Sequence, residues 1–353
     1  MLPQLVLRSF LLVFATALLS SLSSLSSSLP AVAQQQQLET ELQIHSKYAA
    51  AAYCSDSAVQ DWSCKPHCTS SPAPPLRIVE HINHIESGLL AYVGVDDAHS
   101  KVIVSFRGSK DPRNWAYNLR FAKADYVYGD EDGDTALVHG GFVDAFKVIG
   151  EPLINKVIEL ATTTPLSSRS SSNRRAAHHP NQQQSSPPVE VVVTGHSLGG
   201  ALATLMALQL TRQLSTIVSD RVRLTLSTFG QPRIGNDAFA LLVHRRLCNT
   251  KSGGHRCYRV TANRDIVTQL PPMMFDFKHH PHEVYLTKSI ILSSGNLFEE
   301  RWVMNDKCSD MYIDPNTPDS EYPIEDGHCA SGHIFYDMAS HLSVWNTTFT
   351  SIC

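Results

Sequence analysis

A serine between glycines is the strongest chemical feature of the sequence. The pentapeptide GHSLG, residues 195–199, follows the β-branched run Val189–Thr194 and precedes a mostly apolar, small-residue segment, Ala201–Leu214. A strand that turns sharply into a helix holds a serine hydroxyl above the sheet, and glycines avoid collisions across so tight a turn. The amide of Leu198 and the positive end of the new helix would both face a developing oxyanion. The pattern predicts a nucleophile elbow with Ser197 as the nucleophile.

A serine hydroxyl becomes a good nucleophile only when a histidine takes its proton and a carboxylate orients that histidine. In chains with this elbow, the acid and then the histidine follow the serine in sequence. Asp265 fits the acid because it lies on the loop after the strand-like segment Tyr258–Thr261. The residues alone leave the base open among six later histidines: His279, His280, His282, His328, His333 and His341.

Strand-like and helix-like segments alternate around these residues, which predicts an α/β protein with a mostly parallel central sheet flanked by helices. A helical periodicity covers residues 142–161, although Pro152 should break or kink that helix. The predicted strands are 90–95, 101–106, 189–194, 222–229 and 257–261, and helices are predicted at 45–53, 201–214 and 238–247.

The first 33 residues read as a secretory signal peptide. An apolar run at 10–19 is followed by Ala31-Val32-Ala33, a small-residue cleavage signal that predicts a cut before Gln34. A membrane anchor is the weaker interpretation, because the apolar run is shorter than the ~20 residues that a span needs. Residues 34–42 are predicted to be a flexible lead-in, and residues 34–353 a single domain.

Residues 163–188 interrupt that domain with a polar segment rich in Ser, Pro and Gln, which predicts a disordered surface insertion. The whole chain has 29 Lys and Arg against 33 Asp and Glu, a net charge of −4. This balance argues against a nucleic-acid-binding protein, which would be basic. Because the leader reads as a signal peptide, we expect a secreted, extracellular protein with no transmembrane span. No obligate protein partner is expected.

Eight cysteines follow the leader, and an even number in an exported chain indicates disulfides. Eight cysteines allow roughly 105 pairings, so the sequence alone fixes none. Spacing favours Cys64–Cys68, Cys248–Cys257 and Cys308–Cys329, which leaves Cys54 and Cys353 as a staple between the chain ends. The alternative of zinc bound by the first local pair and His67 lacks a second ligand pair.

Motifs along most of the chain resemble those of the fungal-type (class 3) secreted lipases of the α/β-hydrolase fold. The resemblance extends from about His45 to Cys353, apart from the polar insertion. The matching segments are AAYC (51–54), VSFRGS (104–109) with NW (114–115), HGGF (139–142), TGHSLGGALA (194–203), FGQPRIGN (229–236), DIV (265–267) with LPP (270–272), and HLS (341–343).

The resemblance implies a triacylglycerol lipase that acts on lipid esters at a lipid–water interface and needs no cofactor. It selects His341 as the base, with His333 as the fallback. It assigns the second oxyanion donor, beside the Leu198 amide, to the backbone N–H and hydroxyl of Ser109. It also supports the Cys54–Cys353 pairing, whereas Cys308–Cys329 has no such support.

The segment after Ser109 is expected to form a short amphipathic lid, as in related lipases. Trp115, Tyr117 and Leu119 would supply its apolar side. Pro112 and Tyr117 make this lid less apolar than in many members, and feruloyl esterases share the fold with polar lids. A phospholipase, a galactolipase or a feruloyl esterase therefore stays an alternative. A non-catalytic lipid-binding relative is the alternative from another class.

Three further motifs have simpler interpretations. The HHPH segment, 279–282, is predicted to be a structural loop, and no metal site is expected. Residues 273–275 and Phe277 are expected to line the acyl groove or the core. Asn346 begins the one N-x-S/T sequence and is a candidate for glycosylation.

Overall fold

The structure is a computed structural model, and it describes residues 31–69, 75–126, 136–163, 189–218, 222–249, 254–293, 297–305, 307–308 and 328–350. Most of the predicted leader (residues 1–30), residues 164–188 of the predicted insertion and Cys353 lie outside these ranges. The chain divides into two units, residues 1–42 and 43–353. In the first unit, the described residues 31–42 lie in helix α1, Ala31–Ala51.

The second unit contains an eight-stranded sheet, whose strands are, in order across the sheet, β1 Arg77–His84, β2 Leu89–Asp96, β3 Lys101–Phe106, β6 Val189–His196, β7 Val222–Phe229, β8 Arg256–Ala262, β9 Glu283–Ser293 and β10 Leu297–Met304. Strands β3, β6, β7, β8 and β9 pair in parallel, and antiparallel pairs complete both edges. Short hairpins form from β4 Lys123–Asp125 with β5 Leu137–His139, and from β11 Ser343–Val344 with β12 Thr347–Thr348. The predicted mostly parallel sheet is confirmed.

Successive side chains of the central strands point to opposite faces of the sheet, as strand geometry requires. Val191 and Val193 belong to one buried apolar cluster, whereas Val192 between them belongs to another. Helices α4, Gly140–Thr163, and α5, Leu198–Val218, contribute to the first cluster. Tyr48, Ala51 and Ala52, around the end of α1, contribute to the second. The sheet is therefore covered on both faces, which explains the apolar run of β6.

Helix α4 runs through Pro152 without interruption, so the predicted break is wrong. Pro152 lies on the exposed side of the helix, where water can bond the carbonyl that loses its backbone donor. Phe146, Ile149 and Leu153 are buried on the other side. The burial of these three side chains stabilises the helix and outweighs the cost of a proline in its interior.

The predicted flexible lead-in at 34–42 is also wrong, because these residues belong to α1. They contain Gln, Glu and Leu, which are good helix formers, and no Gly or Pro. The predicted helix at 238–247 is shorter than expected. It is α6, Asp237–Val243, and it continues as a π-helical turn, His244–Cys248. Helices α2, Asp56–Gln60, and α3, Pro112–Asn118, lie between α1 and α4 in the chain.

Three disulfides join the pairs that local spacing favours: Cys64–Cys68, Cys248–Cys257 and Cys308–Cys329. The first bond occupies both sulfurs of the zinc alternative. Cys54 is buried and disulfide-bonded, and its predicted partner, Cys353, lies outside the described residues. Within the described ranges, no helix combines the length and the apolar character needed to cross a membrane.

Candidate active site

Ser197 lies at the sharp turn between β6 and α5, with a φ of 59°. Its N–H donates to the Phe229 carbonyl at 2.9 Å, which ties the turn to the end of β7. A Cβ at Gly195 would collide with the backbone of Gly199, and a Cβ at Gly199 would collide with the backbone of Phe106. The geometry is that of a nucleophile elbow, in which a strained serine sits between strand and helix.

Asp265 and His341 form a buried pair at the same edge of the sheet. His341 Nδ1 lies 2.9 Å from Asp265 Oδ2, and both side chains are almost completely buried. Because the carboxylate accepts, Nδ1 carries the proton and Nε2 presents its lone pair. The other carboxylate oxygen accepts the Val267 N–H at 2.8 Å, which holds the acid in place. This is the arrangement that orients a histidine as a general base.

Gly230 separates this pair from the elbow. Its φ is 54°, a region that favours glycine, and it directly follows the residue that accepts from the Ser197 amide. A Cβ at this position would lie 2.8 Å from Asp265 Oδ2 and 2.9 Å from His341 Nδ1. A side chain at position 230 would therefore displace the pair.

His341 occupies the end of a 3-10 turn, Ala339–His341, directly before the β11–β12 hairpin. The turn begins beside Asp337, whose carboxylate accepts the Ser340 N–H at 2.7 Å. A short acidic or hydroxyl side chain at the start of a helical turn satisfies amides that lack partners in the turn. No motif in the sequence predicts a role for Asp337 in the site.

Ser197 Oγ and His341 Nε2 are both buried, and neither has a hydrogen-bond partner among the described residues. Ser197 itself is 0% exposed. The histidine and the acid are therefore paired, whereas no hydrogen bond joins Ser197 Oγ to His341 Nε2 in this structure. A substrate carbonyl can reach the hydroxyl only after the residues that cover it have moved.

The predicted oxyanion donors lie on either side of the elbow. Leu198 begins α5, and the half-buried Ser109 follows β3 after Arg107 and Gly108. Strands β3 and β6 pair in parallel up to Phe106 and Gly195, so the loops that follow them emerge side by side. A Cβ at Gly108 would lie 2.9 Å from Ser197 Cβ. The turn that carries Ser109 is therefore in contact with the serine.

The predicted lid segment contains helix α3, which Asp111 caps by accepting the Asn114 N–H at 2.9 Å. Trp115 is half-buried and stacks on Phe142 of α4, with ring centroids 6.2 Å apart. Leu119 ends the helix and is half-buried. The side chain of Tyr117 lies outside the described part of the structure.

Comparison with known proteins assigns the chain to one family. A family model described as Lipase (class 3) matches residues 103–275. The secreted mono- and diacylglycerol lipase 1 of Fusarium solani is 29% identical over 312 residues, which cover 86% of this chain and 75% of that protein. A lipase of Rhizomucor miehei is 31% identical over 250 residues, covering 70% of this chain and 58% of that protein. The chain belongs to the class 3 lipase family.

Solved structures agree with this assignment and confirm the α/β-hydrolase fold. The Rhizomucor miehei lipase propeptide complex superimposes with a TM-score of 0.64 at 25% identity, covering 90% of this chain and 83% of that one. A triacylglycerol lipase whose catalytic centre is formed by a serine protease triad superimposes with a TM-score of 0.61 at 26% identity, covering 89% and 96%. Lipases are carboxylic ester hydrolases, and so is this class 3 lipase.

Three other candidate histidines of this class 3 lipase, His279, His280 and His333, have hydrogen-bond partners other than the carboxylate of Asp265. The fallback base, His333, is hydrogen-bonded to the hydroxyl of Tyr285. His279 Nε2 lies 2.7 Å from the Thr268 carbonyl. Burial is the main cause that lowers the pKa of His280 to about 3 and that of His282 to about 4. Both therefore stay neutral in the fold.

Two described clusters have the composition of a metal site in this class 3 lipase. One joins His280 to Cys248 and Cys257, and the other joins Glu283 to Cys308 and Cys329. In each cluster the two sulfurs form a disulfide, so neither offers the thiolate that binds metals. The HHPH segment thus supplies buried polar contacts in the fold.

The remaining predicted positions lie at the surface or in the core. Phe277 is buried, whereas Met273, Met274 and Phe275 are exposed, so the core interpretation is wrong for these three. Phe275 packs against Phe121, with ring centroids 4.8 Å apart. Asn346 is exposed at the turn of the β11–β12 hairpin, where a glycan could be attached without disturbing buried side chains.

Two residues of this class 3 lipase that sequence reasoning left out of the site lie directly behind it. His196 precedes the serine, and its ring packs on that of His341 with centroids 4.4 Å apart. Tyr53 belongs to the AAYC motif, and its hydroxyl contacts His196. The only sequence signal for them was membership of matching motifs, which carries no information about the contact between them.

Proposed function

We propose that this class 3 lipase is a secreted serine ester hydrolase that cleaves lipid esters, foremost triacylglycerols, through Ser197, His341 and Asp265. The observation that carries the proposal is the buried pair of His341 and Asp265, 2.9 Å apart, beside a strained serine. A solved relative named as a triacylglycerol lipase has a serine protease triad as its catalytic centre, which supports the assignment.

In the proposed reaction, Ser197 Oγ attacks the ester carbonyl while His341 Nε2 takes the hydroxyl proton. The carbonyl oxygen becomes an oxyanion, which the Leu198 amide and Ser109 stabilise. His341 then gives its proton to the departing alcohol, and the acyl group stays on the serine. A water molecule, deprotonated by His341, attacks the acyl-enzyme, and His341 returns this proton to Ser197 Oγ as the fatty acid leaves. Asp265 stabilises the imidazolium that forms in each half of the reaction.

Access to the serine requires an opening movement in this proposal, because Ser197 is 0% exposed. Helix α3 is the element that we expect to move. It is seven residues long, and its Trp115 is held by a stack on Phe142 of α4. Contact of Trp115 with a lipid surface would replace that stack, so the lipid–water interface would favour the open state.

Partial glycerides are the second candidate substrate. Relatives from Fusarium solani and Penicillium cyclopium are named as secreted mono- and diacylglycerol lipases. A panel of triolein, diolein, phosphatidylcholine and methyl ferulate emulsions separates these activities by initial rate. The highest rate on triolein is expected. A preference for diolein would move the substrate to partial glycerides, and a preference for phosphatidylcholine or methyl ferulate would overturn the lipase assignment.

Export is part of the same proposal. Residues 1–33 have the pattern of a signal peptide, the relatives above are named as secreted, and the described residues contain three disulfides. Disulfides persist in oxidising compartments. Expression of the full chain in a eukaryotic host should deliver a product to the medium that begins at Gln34 by amino-terminal sequencing.

The catalytic assignment is tested with Ser197→Ala on a short, soluble acyl ester. We expect kcat/KM to fall by about 10³-fold or more, because the nucleophile is lost while the fold is kept. A fluorophosphonate probe should label the parent enzyme and leave the variant unlabelled. Activity within about threefold of the parent would end the proposed mechanism, and an unlabelled parent would indicate the non-catalytic alternative.

A further inference from the structure

Both ring nitrogens of His196, the residue before the proposed nucleophile, are hydrogen-bonded. Nδ1 lies 2.7 Å from the hydroxyl of Tyr53, and Nε2 lies 2.8 Å from the main-chain carbonyl of His341. The side chain is almost completely buried. The two partners are 143 and 145 residues away in sequence, so the contacts link three distant segments of the chain.

These contacts fix the tautomer of His196. A carbonyl oxygen only accepts, so Nε2 carries the proton and donates a hydrogen bond to the main-chain carbonyl of His341. Nδ1 then offers a lone pair, and the Tyr53 hydroxyl donates to it. Burial lowers the pKa of His196 well below its usual value, and burial raises the pKa of Tyr53. Both side chains are therefore neutral.

The ring of His196 is held between two other rings. It stacks on Phe349 with a centroid distance of 3.9 Å and an interplanar angle of 4°, and it packs on His341 at 4.4 Å. Phe349 follows the β11–β12 hairpin, and its N–H donates to the Leu342 carbonyl at 2.9 Å. The segment that carries His341 therefore wraps around His196.

The carbonyl that His196 binds ends a 3-10 turn, Ala339–His341. Carbonyls at the end of a helical turn lack partners within the turn and need one from elsewhere. Asp265 restrains the ring of His341, and His196 restrains its backbone. Together, the two contacts restrain the direction in which Nε2 of His341 points.

The other end of this network reaches the loop that carries Ser109. The amide of Gly108 is directed at the hydroxyl oxygen of Tyr53. A Cβ at Gly108 would collide with that hydroxyl and would lie 2.5 Å from the His196 carbonyl. The network thus connects the proposed oxyanion loop, through Tyr53 and His196, to the backbone of the proposed base.

We propose that His196 is a positioning residue, which holds the proposed base through its main-chain carbonyl, and that Tyr53 selects the tautomer in which it can do so. The inference rests on the proposed function and deepens it. Neither residue is hydrogen-bonded to Ser197 Oγ or His341 Nε2. The loss of either should therefore lower kcat and leave KM nearly unchanged.

Three substitutions at position 196 separate hydrogen bonding from packing. His196→Gln keeps a donor near the position of Nε2, His196→Asn keeps only polar atoms near Nδ1, and His196→Phe keeps the ring without either bond. We expect kcat on a soluble ester to fall about ten- to a hundredfold for Asn and Phe, because a small displacement of a catalytic group is costly. The Gln variant should stay within about threefold of the parent.

Tyr53→Phe tests the tautomer. Without the hydroxyl, nothing donates to Nδ1, and the proton of His196 can move away from the His341 carbonyl. We expect kcat to fall about tenfold in the parent background. In the His196→Phe background the same change should lower kcat clearly less than in the parent, because only the contact of Tyr53 with Gly108 is then lost. Independent losses that multiply in the double variant would contradict the proposed coupling.

Loss of folding is controlled by dividing each kcat by the folded fraction from near-ultraviolet circular dichroism. His45→Phe is the matched control, because His45 is a buried histidine with a hydrogen bond to Ser227, 2.9 Å away, and no contact with the proposed triad. It should lower the melting temperature without lowering kcat per folded molecule. A comparable fall in kcat for this variant would mean that any buried histidine matters equally.

The rank order of the variants decides the outcome. A kcat of His196→Gln that is well above those of His196→Phe and His196→Asn supports positioning through the His341 carbonyl. If kcat of His196→Phe equals or exceeds that of His196→Gln, only the packing of the ring matters. If kcat falls equally in all three variants, the hydrogen-bond donor at Nε2 is irrelevant. Either result overturns the inference. Ser197→Ala is measured in parallel. If that variant stays active the proposed function fails, whereas an inactive Ser197→Ala with a fully active His196→Phe removes this inference alone.

Discussion

Asp337 and Asp265 pair through a single β-bridge, in which the Ile266 N–H donates to the Asp337 carbonyl at 3.2 Å. The Asp337 N–H donates in turn to the Arg264 carbonyl at 2.8 Å. The loop of the proposed acid and the segment of the proposed base are therefore joined by backbone bonds. The 2.9 Å contact between Asp265 and His341 depends on this junction as well as on the two side chains.

Asp337→Ala tests the junction. The carboxylate caps the turn that ends at His341, so its loss should cost about 1 kcal/mol of unfolding free energy. We expect kcat on a soluble ester to fall about tenfold, because the base is less well held. Asp337→Asn should retain most of the activity, since an amide oxygen also caps. Asp97→Ala, at an exposed site paired with Arg77, should change neither quantity. Parent-like kcat in Asp337→Ala would show that the cap is dispensable.

Gly230→Ala should damage the site beyond the cost of its backbone strain. A non-glycine residue at positive φ costs about 1–2 kcal/mol. The new Cβ would also press on Asp265 and His341 at under 3 Å. We expect kcat to fall at least about tenfold alongside the loss of stability.

Gly88→Ala is the control for this prediction. Gly88 has a φ of 67°, and a Cβ there meets nothing within 4 Å. It should reproduce the loss of stability, measured by thermal melting, and leave kcat at the parent value. If both variants keep full kcat per folded molecule, the close approach at Gly230 has no catalytic consequence.

The features predicted correctly from the sequence are those that depend on local pattern. A run of β-branched residues followed by GHSLG indicates strand, turn and helix within about 20 residues. The position of Asp265 after a strand follows from the same alternation. Errors arose where tertiary packing or local propensity acted against the expected pattern. The burial of one face of α4 outweighed Pro152, and helix-forming Gln and Glu residues extended α1 back to Ala31.

The base and its supports could not be derived from residue types. Six histidines follow Asp265, and the choice among them depends on a contact between residues 76 positions apart. The family resemblance selected His341, which is the histidine that the structure brings to the acid. No comparable signal marks Tyr53 or His196 as partners, because their contact depends on how the whole sheet brings β6 to the end of α1.

His341→Ala and His333→Ala distinguish the predicted base from its fallback. His341 faces Asp265, whereas His333 bonds the hydroxyl of Tyr285. On a soluble ester, kcat should fall about 10³-fold or more for His341→Ala. The His333 variant should stay within about threefold. A larger loss for His333→Ala would transfer the role of base to that residue.

His45 should make the fold less stable in acid. Burial, with Lys101 as the next cause, lowers its pKa to about 3. In the unfolded chain a histidine has a pKa of about 6.5, so below that pH the unfolded state binds a proton that the folded state does not. The free energy of unfolding should therefore fall with decreasing pH by about 1.4 kcal/mol per unit, down to about pH 3.

Urea unfolding of the parent and of His45→Gln, at several pH values from neutral to acidic, measures this slope. The variant should lose less stability per pH unit than the parent by about 1.4 kcal/mol. His282, whose pKa is lowered to about 4, gives an internal comparison. Its Gln variant should differ from the parent in slope only above about pH 4. Parallel curves for parent and His45→Gln would contradict the predicted proton linkage.

Trp115→Ala should raise activity on a short, soluble ester, because the buried Ser197 is reached only from an open state. The stack of Trp115 on Phe142 holds α3 against α4. Its loss destabilises the closed state by about 1 kcal/mol, and the open population should rise about fivefold. On triolein emulsion the rate should fall instead, since Trp115 would contact the lipid surface. Val148→Ala, at an exposed site of α4, is the control for general effects on that helix. A fall on both substrates would mean that Trp115 supports the active conformation rather than the closed one.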